Sequence, residues 1–271
     1  MMLRAVAAVA RRELVIFGRY PSWFIGTVIW PVLFPAAYVF SIRALAGPAA
    51  TPQTYADALG VSDYAGFLIV GTTLWMWVNI TLWSMGGALR QEQLGGTLEA
   101  NWLTPAPRLA VLAGDAVANG AIALLQMGVS VALFVIVYGF HVRSPLASLA
   151  VLLANFPWVY GLGLLFASLV VWAKEVNGMV QLVRGVFLVL CGMTYPVAVL
   201  PHWLQGVSWV LPLTHGIEAL RRTAVAGASW GAVGGDLAWL LGWGAALLLA
   251  GVAAFRWTDR RMRRLGSVGT Y

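Results

Sequence analysis

The chain predicts an all-α membrane protein, and three observations carry that expectation. Of its 271 residues 61% are hydrophobic and only 10% are charged, a balance far from that of a soluble domain. The apolar residues gather into runs of roughly 20 or more, the length a helix needs to cross a hydrocarbon core about 30 Å thick. Strand alternation is absent and the runs exceed the ~9–11 residues of a membrane barrel strand. Helices, which satisfy their backbone groups internally, are therefore the expected elements.

Taken in chain order, residues 1–20 come first. Leu3, Val6, Ala10, Leu14 and Phe17 recur at helical spacing, while Arg4, Arg11, Arg12 and Arg19 project elsewhere. This predicts an amphipathic helix lying on the membrane, its arginines against anionic headgroups; a solvated basic tail is the other reading. The alanine-rich run Ala5 to Ala10 is short and meets Arg11, Arg12 and Glu13 at once, unlike a cleaved signal, so the spans themselves are expected to direct membrane insertion.

Residues 21–256 then form the expected membrane domain, with six spans at about 22–42, 64–86, 110–138, 146–172, 179–198 and 232–255. Pro31, Pro35, Pro157 and Pro196 lie in or near these runs and predict kinks. The first connection, about Arg43 to Asp63, carries Gly47, Pro48 and Pro52 and reads as a surface loop. The link at His141 to Pro145 is so short that spans three and four are expected to form an antiparallel helical hairpin. After span five, residues 196–218 are interrupted by Pro196, Pro201 and Pro212, too broken for a span and too apolar for an ordinary loop. Pro201 can open a short helix, with Leu200, Trp203, Leu204, Val207 and Leu211 as its stripe and Trp203 and Trp209 suited to the headgroup level. A re-entrant pair of short helices is the expectation and an unstructured loop the alternative. Residues 257–271 form a basic tail.

Charge distribution sets the orientation. With the N-terminus in the cytoplasm, thirteen of the 17 Lys and Arg residues fall inside and only Arg43, Arg143, Arg221 and Arg222 outside. That bias predicts both termini cytoplasmic, and it explains the net charge of +7 without nucleic-acid binding. Glu218 with Arg221 or Arg222, and Asp115 near the inner end of span three, read as local ion pairs or caps. The single cysteine, Cys191, excludes an internal disulfide. His141, His202 and His215 lack ligand spacing, so no metal is expected. No nucleophile elbow or intramembrane acidic cluster suggests a hydrolase or ion pump.

One polar insert interrupts this greasy chain on the cytoplasmic side, QEQLGGTLEANWLTPAPR at residues 91–108. Leu94, Leu98 and Trp102 are four apart, Thr97 is a candidate N-cap and Pro105 a stop, so a short amphipathic helix over about 90–104 is expected between spans two and three. It either rests on the membrane surface or docks a soluble partner.

The run Glu92, Gly96, Thr97, Leu98, Glu99, then Thr104, Pro105 and Arg108, resembles the coupling-helix region of ABC type-2 exporter permeases. Asn101-Trp102 stands where a leucine pair is more usual. The second signature, Pro196, Leu200, Pro201, then Pro212, Leu213, Thr214, His215, Glu218 and Arg221, is similar to that family's external hairpin and its PLTH-x-x-E-x-x-R ending. With the N-terminal helix and six-span layout, the resemblance covers essentially the whole chain.

The resemblance implies a multi-pass permease of a prokaryotic plasma membrane that pairs with a second copy of itself and with two ABC ATPase subunits. The only lysine, Lys174, follows Ala173, so this chain cannot supply the Gly-Lys of a phosphate-binding loop. ATP and Mg are accordingly expected on the partner, with no cofactor and no catalysis in this chain. Glu92, Gly96, Thr97, Leu98, Glu99, Trp102, Pro105 and Arg108 would receive the ATPase stroke, and Pro201, Trp203, Pro212, His215, Glu218 and Arg221 would form the hairpin.

In the family, spans two and five border the path between paired permeases, which here implies Thr72, Met76, Asn79, Gln181, Leu188 and Tyr195 along it. Ordinary helix packing, with Arg184 snorkelling to the inner surface, is the competing reading. The expected cargo is amphipathic or lipophilic, a drug, antibiotic or lipid; a lipid-linked polysaccharide and an ATP-independent channel or scaffold are the alternatives.

Overall fold

The computed structural model of the protein describes residues 2–46, 63–94, 109–173 and 177–265. Among them the regular elements are all helical. In chain order they are α1 (Met2–Arg19), α2 (Pro21–Ala46), α3 (Tyr64–Leu94), α4 (Leu109–Tyr138), α5 (Pro145–Ala173) and α6 (Asn177–Leu190). A 3-10 turn (Val197–Val199), α7 (His202–Val210), α8 (Pro212–Leu220), a π-helical turn (Arg221–Val225), a second 3-10 turn (Trp230–Val233) and α9 (Gly234–Leu265) complete the order.

Four stretches among the described residues are long and apolar enough to cross a membrane, namely Tyr64–Gly87, Leu109–Ile136, Pro145–Val170 and Trp230–Arg261. α2 covers the run expected for the first span, with only part of its side chains described. The fifth run differs from expectation. α6 has 14 residues and stops at Leu190, where Gly192 adopts φ 63° and turns the chain. The apolar sequence continues through Val199, so hydropathy alone does not register the break.

In lipid the hydrophobic effect supplies little drive for helix association, and close backbone packing takes its place. The central seam is α5 against α9. A Cβ added at Gly161 would lie 2.6 Å from the Leu248 nitrogen, and one at Gly251 would lie 2.8 Å from the Gly161 carbonyl oxygen. One at Gly244 would meet Pro157 Cβ at 2.6 Å. Only glycine permits this approach, and α5 runs as one helix through Pro157. α3 packs on α5 as well, with Trp77 against Phe156 and Tyr160, Met85 beside Gly163 and Phe166 beside Gly86. α4 and α5 follow each other through a short link, yet α5 packs chiefly on α9 and α3 rather than on α4.

α1 is not a free tail. It lies on α4, where Val9 and the Val6 carbonyl close over Gly114. Ala10 is buried, whereas Leu3 and Leu14, expected in the same stripe, stay exposed with Val15 and Ile16. At the far end α9 continues to Leu265, so the first part of the expected tail is helix, with the Arg261 guanidinium 5.2 Å from the Trp257 ring.

Candidate functional site

Three polar clusters punctuate the apolar bundle, one at the hairpin end, one midway and one at the opposite end. At the hairpin end, Arg221 is buried in the first residue of the π-helical turn. Its Nε and one terminal nitrogen donate to the Phe67 carbonyl at 3.2 Å, that terminal nitrogen also reaches the Met193 carbonyl at 2.8 Å, and its guanidinium carbon lies 3.3 Å from the Phe67 ring centroid. Gly71 makes room, because a Cβ there would sit 2.7 Å from the guanidinium. Burial lowers the Arg221 pKa to about 9, which keeps it charged at neutral pH. One cation thus ties the turn after α6 and the start of α3 to the hairpin.

Asp236, at the start of α9, is the second node. It accepts from Arg222 and faces His215 Nδ1 at 3.0 Å. His215 Nε2 lies 2.8 Å from the Trp209 carbonyl, and the ring packs between Trp209 and Trp239 at 5.4 and 5.3 Å. Both ring nitrogens thus face oxygen atoms, one of a carboxylate and one of a backbone carbonyl. Gln205 Nε2 donates to the Leu200 and Ala198 carbonyls, at 2.7 and 3.2 Å, fastening α7 to the 3-10 turn before it.

Midway along α3, Trp75 is stacked on Phe34 of α2 with centroids 5.1 Å apart and planes 8° from parallel. The Arg184 guanidinium of α6 lies 5.1 Å from the same Trp75 ring and donates to Gln181 Oε1 at 3.4 Å. At the opposite end, Asp115 of α4 accepts from Asn119 Nδ2 at 2.8 Å and from Ser84 Oγ at 3.4 Å, within electrostatic reach of Glu13 and Arg12 on α1. Among the described residues, no three His, Cys, Asp or Glu side chains gather as a metal set would require.

The sequence profile of the ABC-2 type transporters matches residues 4–224, from α1 to the π-helical turn. The chain belongs to the ABC-2 type transporter family. It is a membrane permease, a transport subunit that is not itself catalytic. No curated protein matches it significantly.

Within this ABC-2 permease, the expected coupling residues Gly96, Thr97, Leu98, Glu99, Trp102, Pro105 and Arg108 lie outside the described residues. Glu92 falls in the last turn of α3, its side chain outside them too. Among the expected path residues, the Thr72 hydroxyl bonds the Leu68 and Ile69 carbonyls of its own helix, at 2.6 and 3.2 Å. Met76 borders a small crevice with Thr73, Gln126 and Ser130 between α3 and α4. Asn79 Oδ1 is buried and has no hydrogen-bond partner among the described residues. Gln181 is exposed, Leu188 packs on the core, and Tyr195 donates its hydroxyl to the Val189 carbonyl at 2.5 Å.

In the hairpin, Pro201 caps α7, Pro212 opens α8, and Trp203 stands 73% exposed. The inward line of α7 is Leu204 and Ser208, while Trp203 and Val207 of the expected stripe face outward. Arg222 pairs with Asp236 rather than Glu218, while Arg221 bonds carbonyls and feels Glu218 only through its charge, not as a contact ion pair. Sequence reasoning missed Asp236. Its place at the first turn of the last apolar run was the available signal, since a carboxylate there suits a helix N-terminus.

Proposed function

We propose that this permease is the membrane half of an ATP-driven exporter, two copies of the chain working with two separate ATPase subunits that bind Mg-ATP. The single observation that carries this reading is the family match over residues 4–224. The absence of a Gly-Lys phosphate loop from the sequence supports placing ATP hydrolysis on a partner. Six crossings, both termini cytoplasmic and a prokaryotic plasma membrane form part of the same reading, supported by the basic residues, of which twelve fall on the expected inner side and four outside once Arg184, within the bundle, is set apart.

In this reading the insert at 91–108 and α1 meet the ATPases. Closure of the nucleotide subunits pushes on both, and α1, seated on α4, passes the stroke into the bundle as a rigid-body shift. Cargo, an amphipathic or lipophilic molecule such as a drug, antibiotic or lipid, moves outward past Trp75 and α6 beneath the hairpin. The test is co-expression with the cognate ATPase and reconstitution into liposomes. ATP-dependent accumulation is expected, and Glu99→Arg should leave ATP hydrolysis running while transport falls at least about tenfold. Cargo movement by the permease alone, indifferent to ATP, would overturn the reading.

A further inference from the structure

Arg184 is a cation in an unusual position. Trp75, which its guanidinium faces at 5.1 Å, stands at the middle of the candidate span Tyr64–Gly87, so Arg184 lies level with the middle of that span rather than with either end. A charge at that depth costs several kcal/mol unless it is paired or hydrated. Its neighbours are Phe34, Trp75, Tyr38 and Gln181, which offer ring faces and one amide oxygen but no carboxylate.

Nor do the described residues supply one at this level. Among the described residues the carboxylates sit toward the helix ends. Asp115 bonds Ser84, nine residues from Trp75, or about 13 Å of helix rise away. Asp63 precedes the first turn of α3, and Glu218 and Asp236 belong to the hairpin end. A second copy in a parallel dimer carries the same groups at the same depths, so its described residues add no carboxylate there either. Arg221 makes the contrast: more deeply buried, it donates to two carbonyls and lies over the face of the Phe67 ring. Arg184 is only half-buried, and donors remain for an incoming ligand.

We propose that Arg184 is the recognition group for an anionic headgroup, a carboxylate, sulfate or phosphate, on an amphiphilic cargo whose apolar body lies along Phe34 and Trp75. The inference rests on the export reading for the word cargo, and it narrows that cargo from lipophilic molecules in general to anionic ones. A guanidinium matches such a headgroup with paired donors. Gln181, one turn earlier on α6, orients the guanidinium through its 3.4 Å contact.

The test uses the purified full-length permease in nanodiscs of zwitterionic lipid, without the ATPase. Energy transfer from tryptophan to pyrene-labelled dodecanoate is compared with that to its methyl ester and to a trimethylammonium analogue, corrected with protein-free nanodiscs. Half-saturation with the anionic probe is expected at a concentration about tenfold lower than with either other probe. Arg184→Gln should erase that preference and Arg184→Lys should keep most of it. A wild-type protein indifferent to probe charge overturns the proposal whether or not the variants fold, as does an Arg184→Gln variant that keeps the preference. Abolition of the preference by phosphatidylglycerol in the nanodisc assigns the site to bilayer headgroups and also overturns it. ATP-driven transport of a neutral cargo alone would sink this inference and spare the export reading. Anion binding by a chain that moves nothing with ATP would do the reverse.

Discussion

The α5–α9 seam and the α3–α6 contact are both helix pairings in one bundle, made of opposite materials. The first is backbone against backbone, with Gly161, Gly244 and Gly251 facing main-chain atoms and the Pro157 ring. The second is cushioned by side chains, chiefly Trp75 and Arg184, and Gly185 on α6 has nothing within 4 Å of the place its Cβ would occupy. Close-packed surfaces are stiff, whereas a contact made by long side chains can re-form in more than one arrangement. The seam reads as frame, and α6 as the part with freedom to move or to admit a ligand.

Matched substitutions test this contrast most severely. Gly161→Leu should drive side-chain atoms into α9 and destabilise the protein by about 3 kcal/mol, whereas Gly185→Leu should change stability by less than about 0.5 kcal/mol. Thermal unfolding in detergent, followed by tryptophan fluorescence, gives both numbers, and similar losses at the two sites would break the distinction. The hairpin end comes next, because it clamps the moving side to the frame. Arg221→Met should cost about 2 kcal/mol by leaving the Phe67 and Met193 carbonyls unpaired. Cys191, the sole cysteine, is 1% exposed and reports the same event through faster maleimide labelling in the variant.

Asp236→Asn should have a smaller effect, about 1 kcal/mol, since it weakens two pairings whose Arg222 partner is 39% exposed. Its unfolding profile should remain a single transition; a separate early step would make the hairpin an independent unit. Smallest of all, Gln181→Ala should leave stability within about 0.5 kcal/mol while altering the charge preference of bound amphiphiles. A stability loss as large as that of Arg221→Met would place Gln181 in the frame instead.

The long helices were legible because runs of 20 or more apolar residues have few other fates. The two proline-opened helices after residue 200 were legible for a related reason, since Pro201 and Pro212 stand where a helix can begin. What escaped was tertiary. Arg221 finds a carbonyl 154 residues earlier in the chain, and no periodicity carries that information. Arg222, in the π-helical turn, and His215, in α8 before it, converge on Asp236 of α9, a meeting of three elements with no sequence signature of its own here. The stop at Leu190 was hidden because Cys191, Met193 and Val197 to Val199 keep the hydropathy high while Gly192 reverses the chain. On α1 the expected stripe does not match the buried side, since Ala10 packs inward on α4 while Leu3 and Leu14 of the stripe stay exposed with Val15 and Ile16.

The early stop of α6 has a consequence for synthesis. Its 14 residues rise about 21 Å, short of the hydrocarbon thickness. The turn that follows exposes a carbonyl at Met193 whose donor, Arg221, emerges from the ribosome 28 residues later. Until the hairpin has been translated and folded back, this portion of the nascent chain lacks the donor that pairs its Met193 carbonyl. Its insertion therefore belongs with the hairpin as one biosynthetic step, and a polypeptide halted between them is an incomplete membrane plug.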